Sequence, residues 1–526
     1  MKRLLTLALS LMFLSAWSVP AESAADKPSA ELRSKPRRGG TLTMAIEKDL
    51  ILMNPLVGTR STDQSIRELM YESFLALDSK GEFQPVLAES WDISKDGKVY
   101  TFRLRRGVKY HNGQEMNAED AKFAIDYAVN PKNGAYGYLL LNLVERVEAA
   151  DRYTVRIYMK NSSPAFLSVL TDIKAFSVIP KGSINEGVDK PTRYPPGTGP
   201  FKFVEWQPRQ RIVFERYDEY WGEKALVDRL VLRPVRDATI RLTALRAGDI
   251  DMTERSPLEW AKQVDEGKLK GLVAVKAPYA DLRALLFNVA DPPFNNKKLR
   301  HAVAYAINRK EILNAAYLGF GEPNHQKYPP NHTWHFSGVQ WPPYDLEKAR
   351  TLVKESGYKG EPISIITSPE GSDQIMAQTL QAQLKKIGVN LALDSLEVGA
   401  YNVRERKGEF AMRFRGGDFY PDPWTTYGQD LRCEADLKKR NANTSGYCDK
   451  EMDALVNNAE TELDVNKRKA LFRRILTKMS EDVPEIYVGF VPRFFTMRDY
   501  VKGFTTDAAG RFMSLHGGLT HAWLDK

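Results

Sequence analysis

Apolar residues recur along this chain with two different periods. Gly40 to Ile46 alternate between apolar and polar, as a half-buried strand does. Ser65 to Leu77 takes a helical spacing, with Ile66, Leu69, Met70 and Phe74 on one face. Between them lies the loop Asn54 to Thr62, whose closing hydroxyls can cap the next helix. Lys98 to Arg105 alternates again, Asn112-Gly113 is a hairpin signal, and Asn117 caps a helix running towards Val129. Further strands are expected over Tyr153 to Met159, Phe201 to Trp206 and Val227 to Leu232. A helix from Ala238 to Arg246 stops at Gly248.

From Ala284 to Val289 onward the pattern alternates between the two periods. Helices are expected over Leu299 to Leu313, Leu346 to Glu355 and Met376 to Ile387, and strands over Ile363 to Thr367 and Leu391 to Leu396, which together predict a parallel α/β sheet. A chain of 526 residues exceeds what one core supports, so two or three domains are expected. One boundary falls near residue 178, ahead of the turn-rich run Pro195 to Pro200, and Lys27 to Gly40 has the composition of a linker.

The last α/β unit ends in the stretch from Arg413 to Trp424. Gly416 and Gly417 allow a backbone or ligand to approach closely, and Pro421 and Pro423 hold the following chain extended. Such a stretch can present an edge to a ligand; the plain alternative is a turn, with Asp418 and Asp422 capping it and Tyr420 and Trp424 in a core.

Composition narrows the function. The net charge of +9 is dispersed, with no Lys/Arg block interleaved with aromatics, so nucleic acid is a poor partner and an anionic or zwitterionic small ligand fits as well. The chain opens with Lys2-Arg3, an apolar run from Leu4 to Leu14 and small residues up to Ala25, which reads as a cleaved secretory signal over residues 1–25. No cysteine lies there to carry a lipid, so a soluble periplasmic protein is expected. The only two cysteines, Cys433 and Cys448, are expected to form a disulfide that adds roughly 3 kcal/mol; metal-binding thiols are the competing reading. Gly-x-Ser-x-Gly, Walker, dinucleotide and His-Glu-x-x-His patterns are all missing, so no enzyme and no cofactor are expected. His325, His332 and His335 form the one histidine cluster.

Ala88-Glu89-Ser90-Trp91, followed by Tyr100 to Gly113, resembles the signature of family 5 of the bacterial extracellular solute-binding proteins. This is the dipeptide- and oligopeptide-binding family of ABC importers. Gly197 to Phe201, Ala247 to Asp251, Phe287-Asn288 with Pro293-Phe294 and Arg300 to Ala302, Tyr344 to Ala349, and Asp418 to Pro423 match in order. The resemblance runs from residue 38 to about 525. It implies an α/β two-lobed periplasmic binding protein fold with a hinge and an extra β-rich subdomain. Lobe one would comprise residues 38–80, the subdomain 81–178, then 179–285, with a C-terminal return over 506–526; lobe two would be 286–505.

The resemblance also implies a site. Asp418 would accept a ligand ammonium while the backbone of Arg413, Phe414, Arg415, Gly416 and Gly417 pairs with the ligand as a strand, a mode indifferent to side chains. Thr59, Arg60 and Ser61 would form the opposite wall, and Tyr420 and Trp424 could stack on a ring. Arg415 stands where relatives commonly carry an apolar residue, and Arg404, Arg406 and Arg413 are close in sequence, so a ligand with an acidic group is expected. The implied partners are a short peptide or related ligand and the permease subunits of an inner-membrane importer, with the protein a monomer. A receptor for glycosides, opines or sugar phosphates is the alternative, and nickel or haem uptake a minor one.

Overall fold

A computed structural model of the chain describes residues 35–57, 61–184, 194–369, 371–417, 422–433, 443–507, 510–511, 513–514 and 517–526. The expected signal segment, 1–25, lies outside the described residues. Everything below belongs to the unit Pro36–Lys526. Among the described residues no helix is long and apolar enough to cross a membrane.

Two long strands, Leu272–Phe287 and Glu485–Arg498, run antiparallel through the middle of an 11-stranded sheet and tie its halves together. On one side lie, in order, Met252–Thr253, Thr41–Ile46, Arg229–Pro234, Arg211–Arg216 and Phe201–Gln207. On the other lie Met412–Gly417, Ile363–Thr367 and Leu391–Ser395. The crossing strands pair from Leu272↔Arg498 to Ala277↔Arg493, lose register, and pair again from Asp281↔Val491. Pro278 and Pro492 fall in that break. Neither has an N–H to donate, so the ladder cannot run through there.

Each half has its own core. In lobe one, Leu42, Met44 and Ile46 pack with Phe74, Phe102, Ile125 and Leu232, and with Phe495, Leu519 and Ala522 returning from the C-terminal end. Thr41–Ile46 lies parallel to both neighbours, Arg229–Pro234 and Met252–Thr253, so its alternate positions are covered on both faces. A separate four-stranded antiparallel sheet is ordered Ala88–Ile93, Val99–Leu104, Thr154–Met159, Val144–Asp151. The helix Ala118–Val129 accompanies it, opened by a capping box between Asn117 and Asp120. In lobe two, Leu285, Phe287, Leu299, Ile312, Ile365, Leu380 and Met412 form one core, and Tyr328, Tyr427, Phe472 and Tyr487 anchor a second.

Three expected elements differ. The helix expected over Leu299 to Leu313 is two helices, Lys297–Ala306 and Arg309–Tyr317. Asn308 caps the second through Glu311 N–H, while its own N–H goes to the Gln383 side chain, which stops the first helix from continuing. The helix expected over Ser65 to Leu77 is Ser61–Arg67 only. The carbonyls of Leu69 and Met70 are taken by Phe201 and Gly199, and a Cβ on Gly197 would lie 1.9 Å from the Met70 carbonyl, so that chain displaces the next helical turn. The strand expected from Ala284 is instead 16 residues long and begins at Leu272, where it pairs with Arg498; Lys276, Asp281 and Arg283 interrupt the apolar pattern of its earlier part. The Cys433–Cys448 disulfide is present.

Candidate functional site

The site is built on the strand Met412–Gly417, which pairs antiparallel with Leu282–Phe287 over its whole length. On its other side it pairs in parallel only at Met412 and Arg413, with Ile365 and Ile366. From Arg415 to Gly417 that side has no strand partner among the described residues. The Ala411 carbonyl accepts the Asn288 N–H at 3.0 Å on the crossing-strand side. By the two-residue period, the backbones of Arg413, Arg415 and Gly417 face the same way, and those of Phe414 and Gly416 face outward. The Phe414 carbonyl accepts the Tyr401 hydroxyl at 2.9 Å. Gly416 is left with its N–H and C=O directed to an open, exposed edge.

The crossing strand holds this edge in place. The Gly417 N–H donates to Asp281 Oδ1 at 2.9 Å, and Arg283 bonds Asp281 at 2.9 Å and faces Asp373 at 3.5 Å. A Cβ on residue 416 would stand 2.6 Å from the Arg283 guanidinium, so glycine is what lets the strand end lie against that ion pair.

The side chains of the strand face the protein. Arg415 is 2.5 Å from Asp430 Oδ2 and 3.3 Å from Glu485, and Lys327 stands 2.6 Å and 3.8 Å from the same two carboxylates. Burial disfavours the charged Arg415, but Asp430 and Glu485 outweigh it and hold the guanidinium well above its usual range. Burial likewise disfavours an ionised Asp430, and Arg415 and Lys327 outweigh it, holding that carboxyl well below the usual range. Arg413 is 2.7 Å from Glu405 and 3.3 Å from the Thr444 hydroxyl. Arg404 is 2.5 Å from Asp394 and donates to the Glu409 carbonyl. Arg406 is exposed in the last turn of the helix Val398–Lys407. Thus the strand gathers Arg413, Phe414, Arg415, Gly416 and Gly417, but three of the four candidate arginines on this lobe are answered by the protein's own carboxylates.

Asp422 accepts two bonds from Arg468, at 2.6 Å and 2.7 Å, both side chains being buried, and caps Trp424 N–H at 2.8 Å. Trp424 packs at the edge of the second lobe-two core, 5.5 Å from the Arg432 guanidinium. Asp418, Tyr420, Thr59 and Arg60 lie outside the described residues. Ser61 begins the helix Ser61–Arg67, and only its backbone is described.

The lobes touch one another. The Thr333 N–H reaches the Lys80 carbonyl at 3.0 Å, the Ser162 hydroxyl reaches the Thr461 carbonyl at 3.3 Å, and a Cβ on Gly81 would stand 2.1 Å from the His332 ring. His332 stacks on Tyr328 and His335 bonds the Tyr328 carbonyl. Sequence reasoning missed Asp281 and Arg283; the available signal was a pair of opposite charges two residues apart on one face of a largely apolar strand.

The model of the bacterial extracellular solute-binding proteins, family 5, matches residues 82–436. The dipeptide-binding protein of Escherichia coli K12 is 30% identical over 464 residues, covering 82% of this chain and 85% of that one. The glutathione-binding protein of Pectobacterium atrosepticum is 29% identical over 455 residues, covering 85% and 88%. The structure of a periplasmic binding protein of an ABC transporter from Helicobacter pylori, in complex with the peptide STSA, superposes with a TM-score of 0.75 at 27% identity, covering 93% and 99%.

Proposed function

The chain belongs to the bacterial extracellular solute-binding proteins, family 5, and from that premise we propose that it is the periplasmic receptor of an ABC importer for short peptides. In this reading it captures a peptide between its lobes and hands it, closed, to a membrane permease. The observation that carries the reading is the unpartnered edge at Gly416. An extended ligand that adds there as a strand is held by main-chain bonds, whatever its side chains. Asp418, one residue beyond the strand, receives the ligand ammonium in a charge-assisted bond. In this reading Thr59, Arg60 and Ser61 supply the opposite wall.

The lobes divide at the crossing strands Leu272–Phe287 and Glu485–Arg498, and closure bends them at the register break. Arg404, Arg413 and Arg415 brace the lobe-two wall through Asp394, Glu405 and Asp430. A sugar-phosphate or opine receptor relying on those guanidiniums would first have to break these pairs, and peptide capture needs no such step. The relatives named for dipeptide and glutathione binding agree with a ligand of peptide type.

Thermal melts of the mature protein with and without a mixed pool of di- to tetrapeptides test the proposal. At one hundred times the dissociation constant, linkage adds about 2.7 kcal/mol of stability and a clear rise in Tm. An unchanged melt at saturating peptide would remove peptides as the ligand class.

A further inference from the structure

Arg255 differs from the other arginines around the cleft. It follows Met252–Thr253, whose neighbour Thr41–Ile46 runs parallel to it, and so lies at the carboxyl end of these strands, the edge at which open α/β sheets receive ligands. Its backbone is left-handed, with φ of 45°, a conformation that residues other than glycine and asparagine rarely take. Two hydrogen bonds fix that turn. Glu254 N–H donates to the Ala45 carbonyl at 3.1 Å, and Ser256 N–H donates to the Phe494 carbonyl at 2.9 Å.

The side chain is half-buried, yet among the described residues its guanidinium makes no hydrogen bond and no ion pair. Its electrostatic neighbour is the buried Glu254 carboxyl, which already accepts the Glu47 N–H at 3.0 Å. Arg493, one residue before Phe494, acts electrostatically on the same carboxyl and donates to the Gly510 carbonyl at 3.2 Å. The Phe494 ring meets Phe320 of lobe two at 5.0 Å, so this edge lies close to lobe two.

We propose that Arg255, with Arg493 beside it, receives the carboxylate of the bound peptide on lobe one. The inference rests on the peptide reading above and assigns the acid-recognising role to a guanidinium that, among the described residues, makes no hydrogen bond or ion pair of its own. A guanidinium fork matches a carboxylate, and an arginine that bonds none of the protein's own acids among the described residues is available to it. The distances set a ligand length. Gly417 is two strand spacings from Phe490, by way of Leu282, or about 10 Å. Phe490 to Arg493 adds about 10 Å along the strand. About four extended residues span the diagonal, which joins the main-chain edge of lobe two to the cation of lobe one. A ligand of that length touches both lobes and favours their closure.

The test compares a pool of tri- and tetrapeptides with the same pool amidated at the C-terminus, by calorimetric titration of the wild-type mature protein and of Arg255→Gly. Glycine accepts the left-handed backbone, so this variant keeps the fold. The wild type is expected to prefer the free acids by about tenfold to a hundredfold. Arg255→Gly should bind the amides as the wild type does and bring the two pools within about twofold of each other. Arg236→Gln, an exposed arginine on the same lobe, should keep the wild-type preference. The proposal is overturned if Arg255→Gly retains the preference, if Arg236→Gln loses it equally, or if the wild type binds acids and amides alike. If the wild type binds neither pool, the peptide reading fails and this inference fails with it, an outcome distinct from the other three.

Discussion

Replacing Asp430 by Asn tests whether Arg415 braces the protein or reads the ligand. Asp430 stands 2.5 Å from Arg415 and 2.6 Å from Lys327, and Glu485, at 3.3 Å and 3.8 Å, is the other carboxylate facing them. The variant leaves two cations facing one carboxylate at a site where the Lys327 and Glu485 side chains are only 5% and 3% exposed. Removing one member of a buried pair costs about 3–5 kcal/mol, and because Asp430 is 22% exposed, water screens part of this, so about 3 kcal/mol is expected. The sign with pH follows from the depressed carboxyl. Its contribution is fully present above the unfolded value near 4, hence at pH 7, and is lost as the pH falls through the lower folded value. Urea unfolding at pH 7 should give a lower midpoint at unchanged slope. In an Arg415→Met background, Asp430→Asn should cost at least about 1 kcal/mol less, since the two residues are in direct contact. A loss below about 0.5 kcal/mol for Asp430→Asn, or an Arg415→Met variant of unchanged stability that no longer binds peptide, would refute the bracing role.

Two further outcomes are expected. The His111 imidazole lies 3.0 Å from the Gly199 carbonyl and is pushed by burial down to about 4. The unfolded chain therefore takes up its proton first, and stability present above pH 6.5 is lost as the pH falls towards 4, by up to about 1.4 kcal/mol per pH unit. Unfolding midpoints from pH 4 to 7 should show a shallower fall in His111→Gln, and an identical slope would contradict the assignment. Gly81→Ala should weaken the contact between the lobes, because its Cβ would stand 2.1 Å from the His332 ring and Gly81 itself has a φ of 80°. Small-angle scattering of the unliganded variant should give a larger radius of gyration than the wild type; equal radii would mean that this contact does not hold the lobes together.

Local period made much of the fold legible. The strand Thr41–Ile46, the helix Ala118–Val129 with its Asn117 cap and the helix Ala238–Ala247 with Gly248 beyond it follow from burial patterns and caps carried within a few residues. The crossing strand Leu272–Phe287 was only partly legible, because Lys276, Asp281 and Arg283 interrupt the pattern that would mark it as buried. The arginines near Asp418 read as free cations, since a sequence names a guanidinium but not its partner. Asp430 lies fifteen residues beyond Arg415 and Glu485 seventy, and only folding brings both to it. Arg255 carried no local signal at all: its left-handed turn is imposed by bonds to Ala45 and Phe494, each distant in sequence.

The most direct test of the account is calorimetric titration of the di- to tetrapeptide pool, with free and with acetylated amino termini, into the wild type and Asp418→Asn. Main-chain capture at Gly416, with Asp418 holding the ammonium, predicts saturable binding of the free-amine pool by the wild type. It also predicts a loss of at least about tenfold on acetylation or in Asp418→Asn. Equal binding of both pools by both proteins would contradict it.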